Sequence, residues 1–297
     1  MHTTKKHVNL FKINFMFKTS QAKIILSVFV FIFVSNCATN PFTGNKTMAI
    51  VPNNQILPMS FQQYEQVKEQ STIITETPRA EMIKRIGNEI AQAAEQWLDA
   101  NGYKNYTDNY KWEFVLIDEN TVNAWAMPGG KVAFYTGILP VAANENGIAT
   151  IMGHEVAHAL ANHGQQRMSA STLQQSLGVV GGAIFSEDQQ QQEYFNLAYG
   201  LGSQYLGMLP FSRKHETEAD EIGLKLMAIA GYDPDEGSEL WKRMDQASGG
   251  NKPPEFLSTH PSTENRIENL NRMSSLAKEE AKKFGVTKFK PNTPISD

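Results

Sequence analysis

The sequence predicts an α+β fold that is mainly α, and three observations carry the prediction. Apolar residues recur at helical spacing in several long segments that end at Gly, Pro or Asn. Only two short stretches, "KWEFVLID" and "KVAFYTGIL", are β-rich in composition. The overall balance, 41% hydrophobic and 20% charged over 297 residues, is that of a globular chain long enough for one substantial core or two small ones.

The elements follow in order. Residues 38–75 contain Pro41, Pro52 and Pro58 among many turn formers and read as an extended lead-in. A helix is expected from Pro78, capped by Thr77 and stopped by "NGY" at 101–103, because Met82, Ile83, Ile86, Ile90, Ala93 and Trp97 share one face. Residues 111–118 and 131–139 are expected to pair as strands, with "MPGG" turning between them. A helix over 144–162 follows, with Gly164 just past its end. Residues 173–210 read as a helical pair joined by the polar run "EDQQQQE", or as a mobile flap. Helices are then expected over about 213–229, 236–246 and 262–283. A domain over 76–285 and a tail over 286–297 complete the layout.

The formal net charge of −4 hides an asymmetry. Residues 1–37 carry five lysines and no acid, which leaves 22 of the 27 basic residues against all 31 acids, a formal −9 for the remainder. An acidic body argues against nucleic acid, since phosphate recognition needs clustered Lys and Arg. The basic start precedes the apolar run "IILSVFVFIFVSNC", which is short of the roughly 20 residues a membrane span needs and reads as a secretory signal. "VSNC" resembles a bacterial lipobox, making Cys37 the lipid-bearing residue and residues 1–37 the signal. An uncleaved signal anchor is the alternative. Either places the body outside the cytoplasm, and Ala38 favours the outer membrane over the inner.

The chemistry concentrates in "IMGHEVAHAL", residues 151–160. On a helix, residues four apart sit about 40° from each other around the axis, so His154 and His158 project side by side. Two imidazoles one turn apart can grip one metal ion. Glu155, about 100° round, is placed to reach water rather than to be a ligand. This is the H-E-x-x-H pattern of two zinc ligands and a general base. A catalytic zinc takes a third protein ligand. The metzincin solution fails, because the required histidine and glycine positions hold Gly164 and Ala161. His163 is one place out of register and is expected at the carbonyl end of its helix. In "FSRKHETEAD", Glu216 and Asp220 stand four apart on one face, while Glu218 points about 160° away. Glu216 is therefore the expected third ligand. Asp220 suits the free N–H of a ligand histidine. His215 is expected to take no part.

Taken together, "HEVAHALANHG", "SRKHETEAD", "NAWAMPGGKVAFYTG" and "HPSTENRI" resemble the zinc metallopeptidase family of CAAX prenyl proteases, HtpX, BepA and LoiP. "CATNPFTGNK" is similar to the start of its bacterial lipoprotein members. The resemblance covers roughly 75–275 and the lipobox, and the family's E-x-x-x-D motif falls on Glu216 and Asp220. It implies a zincin-like (gluzincin) core, one Zn2+ per chain and a small sheet edge beside the active-site helix. Asn123, Ala124 and Trp125 would meet substrate backbone on that edge. His260 would lie near the zinc, stabilising an oxyanion or filling the open position at rest.

The expected function is zinc-dependent endoproteolysis of envelope proteins in periplasmic quality control. The implied partners are protein or peptide substrates, the membrane through a lipid anchor, and envelope assembly machinery. An envelope chaperone or assembly factor with a structural or latent zinc site is the competing reading.

Overall fold

The computed structural model describes residues 37–184, 189–203, 208–248, 254–260 and 265–295. The signal-like run ahead of Cys37 lies outside them. A two-stranded sheet of β1 (Cys37–Thr39) and β2 (Lys46–Met48) comes first. Helix α1 (Asn53–Gln70) follows, so the expected extended lead-in is in part helical. Pro58 sits inside α1 and hides it from a periodicity search. Its buried residues Ile56, Ser60 and Tyr64 recur every four positions, which is the face that docks on the sheet. Tyr64 is fully buried, with its hydroxyl 3.3 Å from the Val132 carbonyl.

Helix α2 (Pro78–Ala100) matches its expected span. The Thr77 side chain accepts a hydrogen bond from the Ala80 N–H at its start, and Gly102 takes a positive φ of 85° beyond its end. One face, from Met82 to Leu98, is buried in the core.

The main sheet has the order β3–β4–β6–β5, built from Ile73–Ile74, Glu113–Ile117, Lys131–Tyr135 and Ala124–Met127. β4 and β6 do pair, as expected, but in parallel, Glu113 opposite Lys131. The hairpin partner of β6 is instead β5, with Met127 opposite Lys131 across Pro128, Gly129 and Gly130. Both glycines hold φ of 85°, which an L side chain rarely adopts. β5 is therefore an edge strand.

A 3-10 turn (Thr136–Ile138) and α3 (Leu139–Ala142) lead to α4 (Glu145–Leu160). Asn144 caps α4 by accepting from the Gly147 N–H at 2.9 Å. Every residue of α4 from Asn146 to Leu160 is buried. A helix apolar on all sides belongs at the centre of a fold, and α4 runs between the sheet, α2 and α7 (Leu209–Ile229). Asn162, not Gly164, takes the left-handed conformation after it, with φ of 55°. Gly164 is already inside α5 (His163–Ile184). The pair expected over 173–210 is α5 and α6 (Gln189–Gly202), but much of the glutamine run lies inside α6. Residues 185–188 of the connection lie outside the described residues. Helices α8 (Glu236–Ser248), α9 (Glu255–Thr259) and α10 (Arg266–Lys283) complete the chain.

The architecture is thus α+β and mainly α, a helical core with one small four-stranded sheet. Helices α4 and α7 meet at two glycines. A Cβ at Gly153 would stand 2.6 Å from the Gly223 carbonyl oxygen, and one at Gly223 would stand 2.7 Å from the His154 backbone nitrogen. Only two bare backbones fit at that crossing.

Candidate metal centre

Close approach at Gly153 and Gly223 brings two helices' worth of side chains to one point. From α4 come His154, Glu155 and His158; from α7 come Glu216 and Asp220. His260 arrives from the end of α9, where its N–H bonds to the Phe256 carbonyl and its ring stacks on Phe256 at 4.4 Å. All six are buried. One ligand atom each from His154, His158, Glu216 and His260 falls within 4.8 Å of the others.

The hydrogen bonds select the tautomers the histidines would take as metal ligands. His154 Nδ1 lies 3.0 Å from Asp220 Oδ1, and a carboxylate only accepts. His154 therefore carries a proton on Nδ1, which leaves Nε2 as the nitrogen that faces the cluster. His163 Nε2 likewise donates to Glu218 Oε2 at 3.0 Å, so His163 Nδ1 accepts from His158 Nδ1 at 2.8 Å. His158 Nε2 then faces the cluster too. The two Nε2 atoms lie 3.0 Å apart, with the Glu216 oxygens 3.2 Å from one and 3.4 Å from the other.

Two imidazole nitrogens and a buried carboxylate this close together call for positive charge among them, a proton or a metal cation. The donor set fits zinc: imidazole and carboxylate ligands at 2.0–2.2 Å in a tetrahedron stand about 3.4 Å from one another. Glu216 Oε1 and Glu155 Oε1, both buried, have no hydrogen-bond partner among the described residues.

The charge balance agrees. Burial works against a charged His154, but hydrogen bonds to Asp220 and Glu216 override it and raise its pKa to about 9. The space between those acids calls for positive charge, a proton when no metal is bound. Burial holds His158 neutral, well below the usual imidazole range, despite Glu216 beside it. Glu216 resists the upward push of burial because three imidazoles favour its anion. Asp220 is also held below the ordinary range against burial, chiefly by Arg266 and then by His154. The Arg266 Nη2 donates to Asp220 at 2.7 Å and lies 3.5 Å from Glu216, while its guanidinium rests 3.5 Å over the Trp241 ring. Glu155 moves the other way: burial raises its pKa, and His260 and His154 only moderate the rise. Its Oε1 lies 3.4 Å from His260 Nε2.

Against the sequence reading, His154, His158, Glu216, Asp220, Glu155 and His260 are brought together. His163 departs from expectation. The carbonyl end of α4 is capped instead by Tyr106 on Leu160 and Tyr110 on Ala159, leaving His163 free to turn inward to His158. His215, expected to take no part, is buried and stacked on His163 at 4.1 Å. Arg266 was missed, though it lies inside "HPSTENRI"; an arginine four residues before an apolar helical face carried no local sign of its partner.

Around β5, Asn123 just before the strand and Ala124 and Trp125 on it take different roles. The Asn123 carbonyl accepts from the Tyr135 N–H, which makes 123 and 125 the inward-bonded positions. Trp125 packs edge-on to Tyr64 and donates to the Tyr135 hydroxyl, on the α1 side of the sheet. The outward backbone groups belong to Ala124 and Ala126. Asn123 caps the Ala124 N–H with its own side chain and also donates to Glu255 at 3.2 Å.

A family model described as peptidase family M48 matches residues 79–274. This chain belongs to peptidase family M48. The family's span includes every side chain of the cluster. Among relatives, the chain is 34% identical over 221 residues to "Mitochondrial metalloendopeptidase OMA1" of Saccharomyces cerevisiae, covering 71% of this chain and 60% of that protein. The protein of the same name in Schizosaccharomyces pombe is 44% identical over 161 residues, 54% of this chain and 46% of that one. "Beta-barrel assembly-enhancing protease" of Escherichia coli is 27% identical over 242 residues, 79% and 47%. The chain spans about half the length of these relatives.

A pH prediction arises at Glu218. Its pKa is lowered from 4.5 to about 2, against burial, by His163 and then Thr43. A depressed carboxylate contributes stability above its unfolded pKa and loses it on acidification. Denaturant unfolding should therefore show stability falling between about pH 4.5 and 2, with a shallower fall in Glu218→Gln.

Proposed function

We propose that this M48 chain is a zinc metalloendopeptidase in which His154, His158 and Glu216 hold the metal. The observation that carries the reading is the convergence of His154 Nε2 and His158 Nε2, 3.0 Å apart, on the buried Glu216 carboxylate. Zinc bound there supplies Lewis acidity, polarising the scissile carbonyl and making water easier to deprotonate. Glu155 takes the proton of the attacking water and delivers it to the leaving amine; burial keeps its pKa raised, which suits a base that must give the proton back. Asp220 holds His154 in the tautomer that ligates, and Arg266 holds Asp220. His260, 3.1 Å from His154 and 3.2 Å from Glu216 through Nδ1, either donates to the developing oxyanion or serves as a fourth ligand at rest.

Substrate is read through backbone. The outward carbonyl of Ala124 and the outward N–H and carbonyl of Ala126 offer an extended peptide one more strand on the β5 edge. The Val122 carbonyl is already taken, accepting from the Phe256 N–H at 3.0 Å.

The cellular role rests on the signal-like start and on analogy. Cys37 is the proposed lipid attachment point, which would hold the domain at the bacterial envelope, facing the periplasm, and make envelope proteins its substrates. Among the described residues no helix is long and apolar enough to cross a membrane. The name of one relative speaks of β-barrel assembly; those of others speak of mitochondria.

The test is metal analysis combined with digestion of unfolded casein. One zinc per chain is expected, with cleavage abolished by chelator and restored by zinc. A chain that holds zinc, unfolds on chelation and never cleaves would instead be the envelope chaperone with a structural site.

A further inference from the structure

We propose that the segment just after Cys37 belongs to the metal site: Asn40, Thr43 and Asn45 fix Glu218, Glu218 fixes His163, and His163 orients the ligand His158. The inference rests on the metallopeptidase reading above. Glu218 points away from Glu216 and ligates nothing itself. Its Oε1 accepts from Asn40 Nδ2 at 3.0 Å, Thr43 Oγ1 at 2.7 Å and Asn45 Nδ2 at 3.2 Å. Its Oε2 accepts from His163 Nε2 at 3.0 Å. A carboxylate with three donors on one oxygen has little freedom to rotate, so its other oxygen is fixed in space.

The segment making those three bonds is itself tied down. The Asn40 N–H bonds to the Asn45 carbonyl, and the Gly44 N–H returns to the Asn40 carbonyl, closing a tight loop. Asn40 Oδ1 accepts from the Phe42 N–H, and the Phe42 ring stacks on Trp97 at 4.5 Å and 18°. From the other side His215 lies flat on the His163 ring, 4.1 Å away and inclined by 13°. His163 is thus held by its edge and its face, and its Nδ1 is left aimed at His158.

The role is positioning: none of these groups reaches the reacting atoms. Hydrogen bonds behind a ligand imidazole typically change metal affinity by about 10–100-fold. "NPFTGN" is therefore a working part of the centre, although about 110 positions separate it from the histidines in the chain.

The test is zinc competition with a chromophoric chelator on the detergent-solubilised full chain, with the melting temperature of each metal-free form. His163→Leu should weaken zinc binding by about 10–100-fold, and Glu218→Gln, which keeps the shape, should weaken it in the same direction. Asn40→Ala with Thr43→Val should weaken it by a smaller factor. Adding that pair to His163→Leu should cost nothing further in affinity, because the segment acts only through that ring. A segment variant with wild-type affinity, or effects that multiply in the combined variant, would overturn the relay and leave only a stability role. Zinc held normally by His163→Leu overturns the relay alone; a wild-type chain that holds no zinc overturns the metallopeptidase reading with it.

Discussion

Glu155→Gln is expected to keep one zinc per chain and to cleave about 10²–10⁴-fold more slowly. The substitution preserves side-chain volume in a fully buried position, so packing against α4's neighbours is unchanged. What it removes is the proton acceptor. Glu155 Oε1 makes no hydrogen bond among the described residues and faces the metal cluster, 3.4 Å from His260. Burial raises its pKa, and the imidazoles of His260 and His154 restrain that rise, which leaves an acid able both to accept and to return a proton. An amide does neither. Metal content and single-turnover cleavage measured on the same preparation separate the two losses. Wild-type turnover in the variant would remove Glu155 from the mechanism, while lost zinc would make it a metal-site residue instead.

The second large effect begins two residues earlier, at Gly153. Gly153→Ala and Gly223→Ala are each expected to destabilise the fold by about 3 kcal/mol and to weaken zinc binding at the same time. The new methyl at Gly153 meets the Gly223 carbonyl at 2.6 Å, and that at Gly223 meets the Gly153 carbonyl carbon and the His154 nitrogen at 2.7 Å. Backbone cannot swing aside as a side-chain tip can, so the helices must part. One carries His154 and His158 and the other carries Glu216 and Asp220, so parting them opens the ligand set. Gly200→Ala on α6, where a Cβ meets nothing within 4 Å, is the control and should lose neither stability nor metal. Thermal unfolding and zinc competition check all three; an unchanged melting temperature and affinity in Gly153→Ala would show that the crossing tolerates more space than its geometry gives.

What the sequence determined by itself is local. The 3.6-residue period puts His154 beside His158 and Glu216 beside Asp220 whatever the surroundings, so those pairs were legible before any tertiary contact was known. The cap at Thr77 and the tight turn at "MPGG" were legible for the same reason: each is settled within four residues. Helix α1 was not, because Pro58 and a polar run mask its one docking face.

Tertiary structure alone decided which local pairs meet. His163 turns to His158 rather than to its helix end because Tyr106 and Tyr110 already occupy those carbonyls, from some fifty positions away. Arg266 finds Asp220, and Asn40 and Thr43 find Glu218, across 46, 178 and 175 positions. β4 pairs with β6 in parallel, although β5 lies between them in the chain. None of these has a local signature, since a hydrogen-bonding side chain carries no record of its partner and burial picks the partner only when the chain has closed. The physical reason is the same at the glycine crossing: nothing in either helix's own sequence requires Gly153 or Gly223 until the other backbone is pressed against it.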